Sequence, residues 1–175
     1  MVNHKGQIWI ETVIYILIAL VMIGAVLAFV NPKIREIQDK LTIDKTIEML
    51  EELDSKISEV GGSIGNQRII NLDIKKGELQ IKSNSIIYEL KESNVEYSQP
   101  VEDAGKAFTN MGKVWVQTLK NNDLYDITLR LDIDETLSYI EGDTEIEVGI
   151  LTRSSSAYKL SILNKGTEIE IKLIN

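Results

Sequence analysis

The pattern of apolar and polar positions divides the chain into three stretches with different periods. From Thr12 to Val30 there is no charge at all, and with Ile8, Trp9 and Ile10 the apolar run is longer still. That exceeds the roughly 20 apolar residues needed to cross about 30 Å of hydrocarbon. A lone run of this kind satisfies its backbone in lipid only as a helix. Trp9 and Tyr15 suit a membrane interface, and Gly24 lets a neighbouring helix come close. Asn31-Pro32 follows directly, and proline there predicts a kink or a restart, because it removes one hydrogen bond and disfavours helix just before it.

From Lys33 the apolar residues recur at threes and fours: Ile34, Ile37 and Leu41, then Ile43, Ile47, Leu50, Leu53, Ile57 and Val60. That is an amphipathic helical stripe, opposed by a face rich in Lys, Arg, Asp and Glu. A helix from Gln7 to Val60 is about 80 Å long at 1.5 Å per residue. The stripe needs cover, from the domain that follows or from a neighbouring copy of the chain. Gly61-Gly62-Ser63-Ile64-Gly65-Asn66 then predicts a helix end and a flexible joint.

Beyond the joint the period falls to two. Strands are expected around Ile70–Ile74, Leu79–Ile81, Ile86–Leu90, Val95–Tyr97, Val114–Leu119, Ile127–Ile133, Ile146–Ile150, Tyr158–Ile162 and Ile169–Leu173. Turns fall at Lys75-Lys76-Gly77, Asn121-Asn122-Asp123 and Asn164-Lys165-Gly166-Thr167; residues 101–112 stay unassigned. Eight or so short antiparallel strands with one apolar face each predict a β-sandwich. The fold class is therefore α+β: a long N-terminal helix, its first half transmembrane and its second half an amphipathic stalk, followed by an antiparallel β-sandwich head. The expected divisions are residues 1–6, 7–30 (span), 31–60 (stalk), 61–66 (joint) and 67–175 (head).

Composition narrows the chemistry. The 175 residues contain no cysteine, which excludes disulfides and thiol catalysis. The net charge of −8 argues against a nucleic-acid partner. The one histidine, His4, lies in the leader, so the head has none for a triad, a zinc site or a base near neutral pH. Ser154-Ser155-Ser156 reads as a loop. Asp132, Asp134 and Glu135, and again Glu141 and Asp143, offer oxygens to a hard cation but lack the order of a calcium-binding loop, so solvated turns are the expectation. A carboxylate pair able to cleave a glycoside has no support in the pattern. The expectation is a protein that is not an enzyme and carries no cofactor and no metal.

The remaining signal is the leader. Lys5-Gly6 closes a short polar segment, Gln7 follows, and Glu11 is the only charge near the start of the span. A plain anchor has no use for that acid, because a charge in hydrocarbon costs about 2.5 kcal/mol or more. In this register the chain resembles a type IV pilin of the archaeal kind, with a class III signal sequence. Such proteins have a leader ending in glycine, often a glutamine as first mature residue, and a glutamate at mature position five. Lys5, Gly6, Gln7 and Glu11 match that pattern over residues 1–60; Trp9 departs from it, since relatives often carry a small or hydroxylated residue there.

The resemblance implies a function. A prepilin-type peptidase in the membrane cuts between Gly6 and Gln7. The apolar span, unlike an ordinary secretory signal, stays on the mature protein. Subunits then leave the bilayer and bundle their helices into a surface filament or pseudopilus. In that bundle Glu11 pairs with the new α-amine of Gln7 on a neighbour, unless the glutamine cyclises. The implied partners are that peptidase, other pilin subunits and the membrane, with the head outside the cytoplasm.

Two rival readings stay open: a secreted binding protein cut after Ala28, and a single-pass anchor that forms no filament and keeps its β-sandwich head inside. The second draws on charge, because Lys5 stands alone before the span while Lys33, Arg35, Lys40 and Lys45 follow it.

Overall fold

The computed structural model describes residues 4–101 and 108–174, with the side chains of 4–8 and 101 excepted. The first three residues of the expected leader and the middle of the unassigned 101–112 stretch therefore lie outside the described residues. The chain divides into two compact units, the first ending at Gln38 and the second running from Asp39 onward. One helix, α1 (His4–Gly61), supplies all of the described part of the first unit and opens the second.

In the first unit α1 runs through Asn31 and Pro32 without a restart. Pro32 withholds one N–H from the helical ladder, but its fixed φ is helical, and the bonds on either side continue.

The second unit is built from the rest of α1 and twelve strands. These are β1 (Gln67–Leu72), β2 (Glu78–Lys82), β3 (Ser85–Ser93), β4 (Pro100–Val101), β5 (Thr109–Met111) and β6 (Val114–Asn121). They continue as β7 (Leu124–Asp132), β8 (Leu137–Glu141), β9 (Thr144–Ile146), β10 (Gly149–Thr152), β11 (Tyr158–Asn164) and β12 (Ile169–Ile174). One sheet has the order β1-β11-β12-β8-β9, the other β10-β2-β3-β7-β6-β4 with β5 also beside β6. Neighbours are antiparallel except for β12 with β8 and β4 with β6. The expected α+β class, a long helix followed by a β-rich head of mainly antiparallel sheets, is what the chain adopts.

Alternation explains the layers. Ile86, Tyr88 and Leu90 of β3, and Leu129 and Leu131 of β7, turn inward and are at most 1% exposed, as are Leu160 and Ile162 of β11. Against them lies α1, with Ile43, Leu50, Leu53, Ile57 and Val60 buried in the same core cluster. The amphipathic stripe is thus two stripes. At about 100° per residue, Ile34, Ile37 and Leu41 point roughly 150° away from the buried set, and they are 45%, 59% and 52% exposed. The boundary between units accordingly falls inside the helix, at Gln38–Asp39, and not at the glycine cluster.

Residues 61–66 are likewise held. Gly65, at φ 82, donates its N–H to the Asn164 carbonyl at 2.8 Å, and Asn164 donates its own N–H to Asn66 O at 3.0 Å. The glycines end the helix, as expected, but the segment is hydrogen-bonded to β11 and is not a free joint.

Three strand assignments change. Val95 and Tyr97 form no strand: β3 ends in an irregular register between Leu90 and Ser93, Glu92 takes φ 54, and the chain leaves the sheet there. The strand that follows is β4, beginning at Pro100, where the missing N–H costs least. Residues 146–150 belong to two strands in different sheets, β9 and β10, and β8 lies before them where no strand was expected.

The crossing at residues 147–149 has a packing cause. A Cβ on Gly149 lies 2.4–2.7 Å from ring carbons of the buried Tyr139, so the ring lies directly against the backbone. Gly149→Ala is expected to cost about 1–3 kcal/mol, the range for overpacking a filled core. A urea midpoint that falls in Gly149→Ala and recovers when Tyr139→Leu is added checks this; no drop would mean the ring has room to move.

Candidate functional site

The residues singled out by the sequence, Lys5, Gly6, Gln7, Glu11 and Pro32, lie in α1. Lys5, Gly6 and Gln7 sit near the start of the helix, so the Gly6–Gln7 bond is within it, and their side chains lie outside the described residues. Glu11 is exposed and accepts a hydrogen bond of 3.1 Å from the hydroxyl of Tyr15, one helical turn on. Every large apolar side chain from Trp9 to Val30 is exposed, including Trp9 at 71% and Phe29 at 72%. The helix is long and apolar enough to cross a membrane, with a mean hydropathy of 3.0 over its most apolar window. It is therefore a candidate single span.

Several of the head's polar side chains reach the helix. Asp39 is the one charged residue buried to 3% exposure among those described. Its Oδ1 takes the Lys76 ammonium at 2.6 Å, and its Oδ2 accepts both the backbone N–H of Asn94 at 2.8 Å and the Asn94 side-chain amide at 3.0 Å. Burial alone would raise the carboxyl's pKa; the bonds from Asn94 and Lys76 together outweigh it and hold the group below its usual range. Further along, the Tyr97 hydroxyl donates to Asp44 at 2.6 Å, Lys113 pairs with Asp54, and Arg68 and Lys56 both meet Glu59. Burial, and after it the Asp44 carboxylate, push the Tyr97 hydroxyl up.

Sequence reasoning placed Asp39 on the solvated face. The signal that finds it is phase: Asp39, Ile43, Thr46, Leu50, Leu53, Ile57 and Val60 form one run of fours and threes, so Asp39 extends the buried stripe by a turn. At the other end of that stripe Asn164, 8% exposed, caps the helix. Its amide nitrogen donates to the carbonyls of Val60 at 3.2 Å and Gly61 at 3.1 Å, and its side-chain oxygen accepts the Gly166 N–H at 2.7 Å.

The acidic turns do not form a constellation. Asp132 pairs with Arg130 at 3.1 Å, and that guanidinium lies 4.8 Å from the Phe108 ring. Asp143 reaches Lys172 at 3.4 Å. Among the described residues no three His, Asp or Glu side chains are placed to hold a metal ion. Ser154 and Ser156 hydrogen-bond within their own loop, and Ser154 donates its N–H to Ile74 O at 3.1 Å. A shallow cavity of about 270 Å³ opens beside β2 and β3, lined among others by Lys76, Glu78, Glu89, Lys91 and Thr152. It mixes both signs of charge, and Glu78 is already bonded by Gln80 at 2.9 Å.

Comparison with protein-family models, with curated proteins and with solved structures finds no match for this chain.

Proposed function

We propose that the chain is a type IV pilin-like structural subunit of the archaeal kind, cut by a prepilin-type peptidase between Gly6 and Gln7 and assembled through its N-terminal helix into a surface filament or pseudopilus. The observation that carries this reading is the run of uncovered apolar side chains from Trp9 to Val30, with an acid, Glu11, set at its start in register with Gly6. An anchor explains the run but not the acid. A helix bundle explains both, because there Glu11 meets the α-amine that cleavage creates on Gln7 of a neighbour. Removing one partner of such a buried pair costs about 3–5 kcal/mol, enough to select subunits in register. Before assembly the Tyr15 hydroxyl, 3.1 Å away, gives the carboxylate a local donor.

Two variants test it. Gly6→Val is expected to leave the leader in place, read by N-terminal sequencing of the membrane-extracted protein. Glu11→Ala is expected to be processed but to lower filament yield at least tenfold in electron micrographs. Mature protein beginning at Gln7 from Gly6→Val sinks the cleavage assignment; wild-type filament yield from Glu11→Ala sinks the pairing.

One observation favours a second reading. Lys33, Arg35, Lys40 and Lys45 follow the span and only Lys5 precedes it, a bias that places the head in the cytoplasm as a plain anchored domain. Protease added to intact cells separates the two: a filament subunit loses its head, an inward-facing anchor keeps it.

A further inference from the structure

The stripe of α1 that the head leaves uncovered ends among cations. Leu41 is 52% exposed; Lys40, which flanks it, and Lys45, one turn on, are exposed as well. By helical phase Ile34 and Ile37 belong to the same stripe. Glu48 and Glu52, also exposed, follow on that side, so its cations are confined to the first two turns of the head's helix.

The opposite charge is gathered in the β8–β9 hairpin. Residues 141–147 read Glu-Gly-Asp-Thr-Glu-Ile-Glu, all of them exposed, with no base to balance the acids. Asp143 has a salt bridge, to Lys172 at 3.4 Å. Among the described residues none engages Glu141, Glu145 or Glu147, nor Lys40 or Lys45. The hairpin and the cations also lie toward the same end of the head. β1, β12 and β8 run in one direction, since β1 and β12 both pair antiparallel with β11 and β8 is parallel to β12. β1 starts near the end of the helix and leads on to Lys76, which holds Asp39 at the head's other end. β8 follows Glu135, which lies against Gly61, so it delivers its hairpin toward Asp39.

We propose, resting on the filament reading, that the β8–β9 hairpin of one copy docks on the Lys40, Leu41 and Lys45 face of a second copy. Copies that each carry a net charge of −8 repel one another, so their association needs places where opposite signs meet. Here the acids of the hairpin meet the two lysines, and Ile146, 36% exposed, adds apolar area beside Leu41. Glu48 and Glu52 fix the height of the contact, because an acidic hairpin placed further along the helix is repelled. Two different surfaces are joined, so the contact repeats from copy to copy and suits a growing array and not a closed pair.

Charge exchange in the full chain, expressed in cells, tests the docking. Lys40→Glu with Lys45→Glu, and separately Glu145→Lys with Glu147→Lys, are each expected to lower filament yield about tenfold, because like charges then face each other. The two pairs of changes combined are expected to restore it. A second measurement uses the absence of cysteine from the chain. Leu41→Cys with Thr144→Cys, treated on intact cells with a short bis-maleimide, is expected to give a ladder of linked copies that neither single variant gives. Wild-type yield from either charge reversal, failure of the combined variant to recover, or filaments of the cysteine pair without the ladder overturns the docking and leaves the filament reading standing. A wild-type chain that forms no filament removes both.

Discussion

A chain cut to residues 39–175 is expected to fold and stay soluble, whereas one beginning at Gly62 aggregates. Both lack the apolar run of residues 12–30, so that run does not account for the difference. The difference is the head's share of α1. Ile43, Leu50, Leu53, Ile57 and Val60 are buried to 1% exposure or less, in one core cluster with residues of both sheets. Burying a side chain of this size is worth about 1.5–3 kcal/mol. Five of them amount to roughly 10 kcal/mol, comparable to the whole stability of an ordinary domain at 5–15 kcal/mol. The chain starting at Gly62 also loses Asp39, Asp44, Asp54 and Glu59, leaving Lys76, Tyr97, Lys113 and Arg68 without the partners they have now. Residues 4–38 contribute nothing to that core, as their described side chains are exposed or half-exposed. Amide NMR dispersion and a cooperative melt in the longer chain, with neither in the shorter, are the expected readings. A folded chain from Gly62 would show that the sheets close on each other without the helix.

The second large effect is expected at Asn164. Asn164→Ala removes one amide that serves two helix-end carbonyls and the Gly166 N–H, and leaves the buried Val60 carbonyl without that donor. An unsatisfied buried polar group costs about 1–3 kcal/mol. Asn164→Asp is expected to be worse at neutral pH. It keeps the acceptor for Gly166 but turns the donor end into a carboxylate facing two carbonyls at the negative end of the helix dipole. The sign of its pH dependence follows. A carboxyl so placed has a folded pKa above its unfolded value of about 3.9. The extra penalty is therefore absent below that value, where the protonated acid still donates, and grows as the pH rises through it. Melting temperatures of Asn164→Ala and Asn164→Asp at pH 3.5 and pH 7 test this: Asn164→Asp is expected to melt above Asn164→Ala in acid and below it at neutrality. Equal melting at both pH values would show that the cap is dispensable.

How much of this was legible in the sequence depends on the element. Strands with clean alternation, such as Ile127, Leu129 and Leu131 or Ile169 and Ile171, were readable because one face is buried and the other is not. β8 was not, because acids just before it, Asp134 and Glu135, made its start look like a turn, and its burial depends on a parallel neighbour 32 residues away, Leu137 beside Ile169. β5 and β9 are three residues each with every side chain exposed, so no burial pattern exists to read. The helix was readable throughout, but its division was not, since Ile37, Leu41 and Ile43 look like one stripe until their phase is followed. Asn164 reads as a local turn residue in Asn-Lys-Gly-Thr; its work on Val60, 104 residues earlier, leaves no local trace. Near the start of the helix the register of Gly6, Gln7 and Glu11 was visible at once, because it is a matter of spacing and not of packing.

The order of strands in the first sheet has a consequence for how the chain is made. β1 leaves the ribosome early, yet its partner is β11, through Gln67 opposite Leu163 and Leu72 opposite Tyr158. β12 then bridges β11 to β8. Until nearly the last residue is synthesised, the buried face of the helix has only half its cover and β1 has no neighbour. Pairings this distant are slow to form. The nascent head thus waits open and sticky, and depends on β11 and β12 to close. Premature termination anywhere before residue 158 is expected to yield not a slightly weaker head but an unfolded one, a ready substrate for quality-control proteolysis, because both β11 and β12 are then missing.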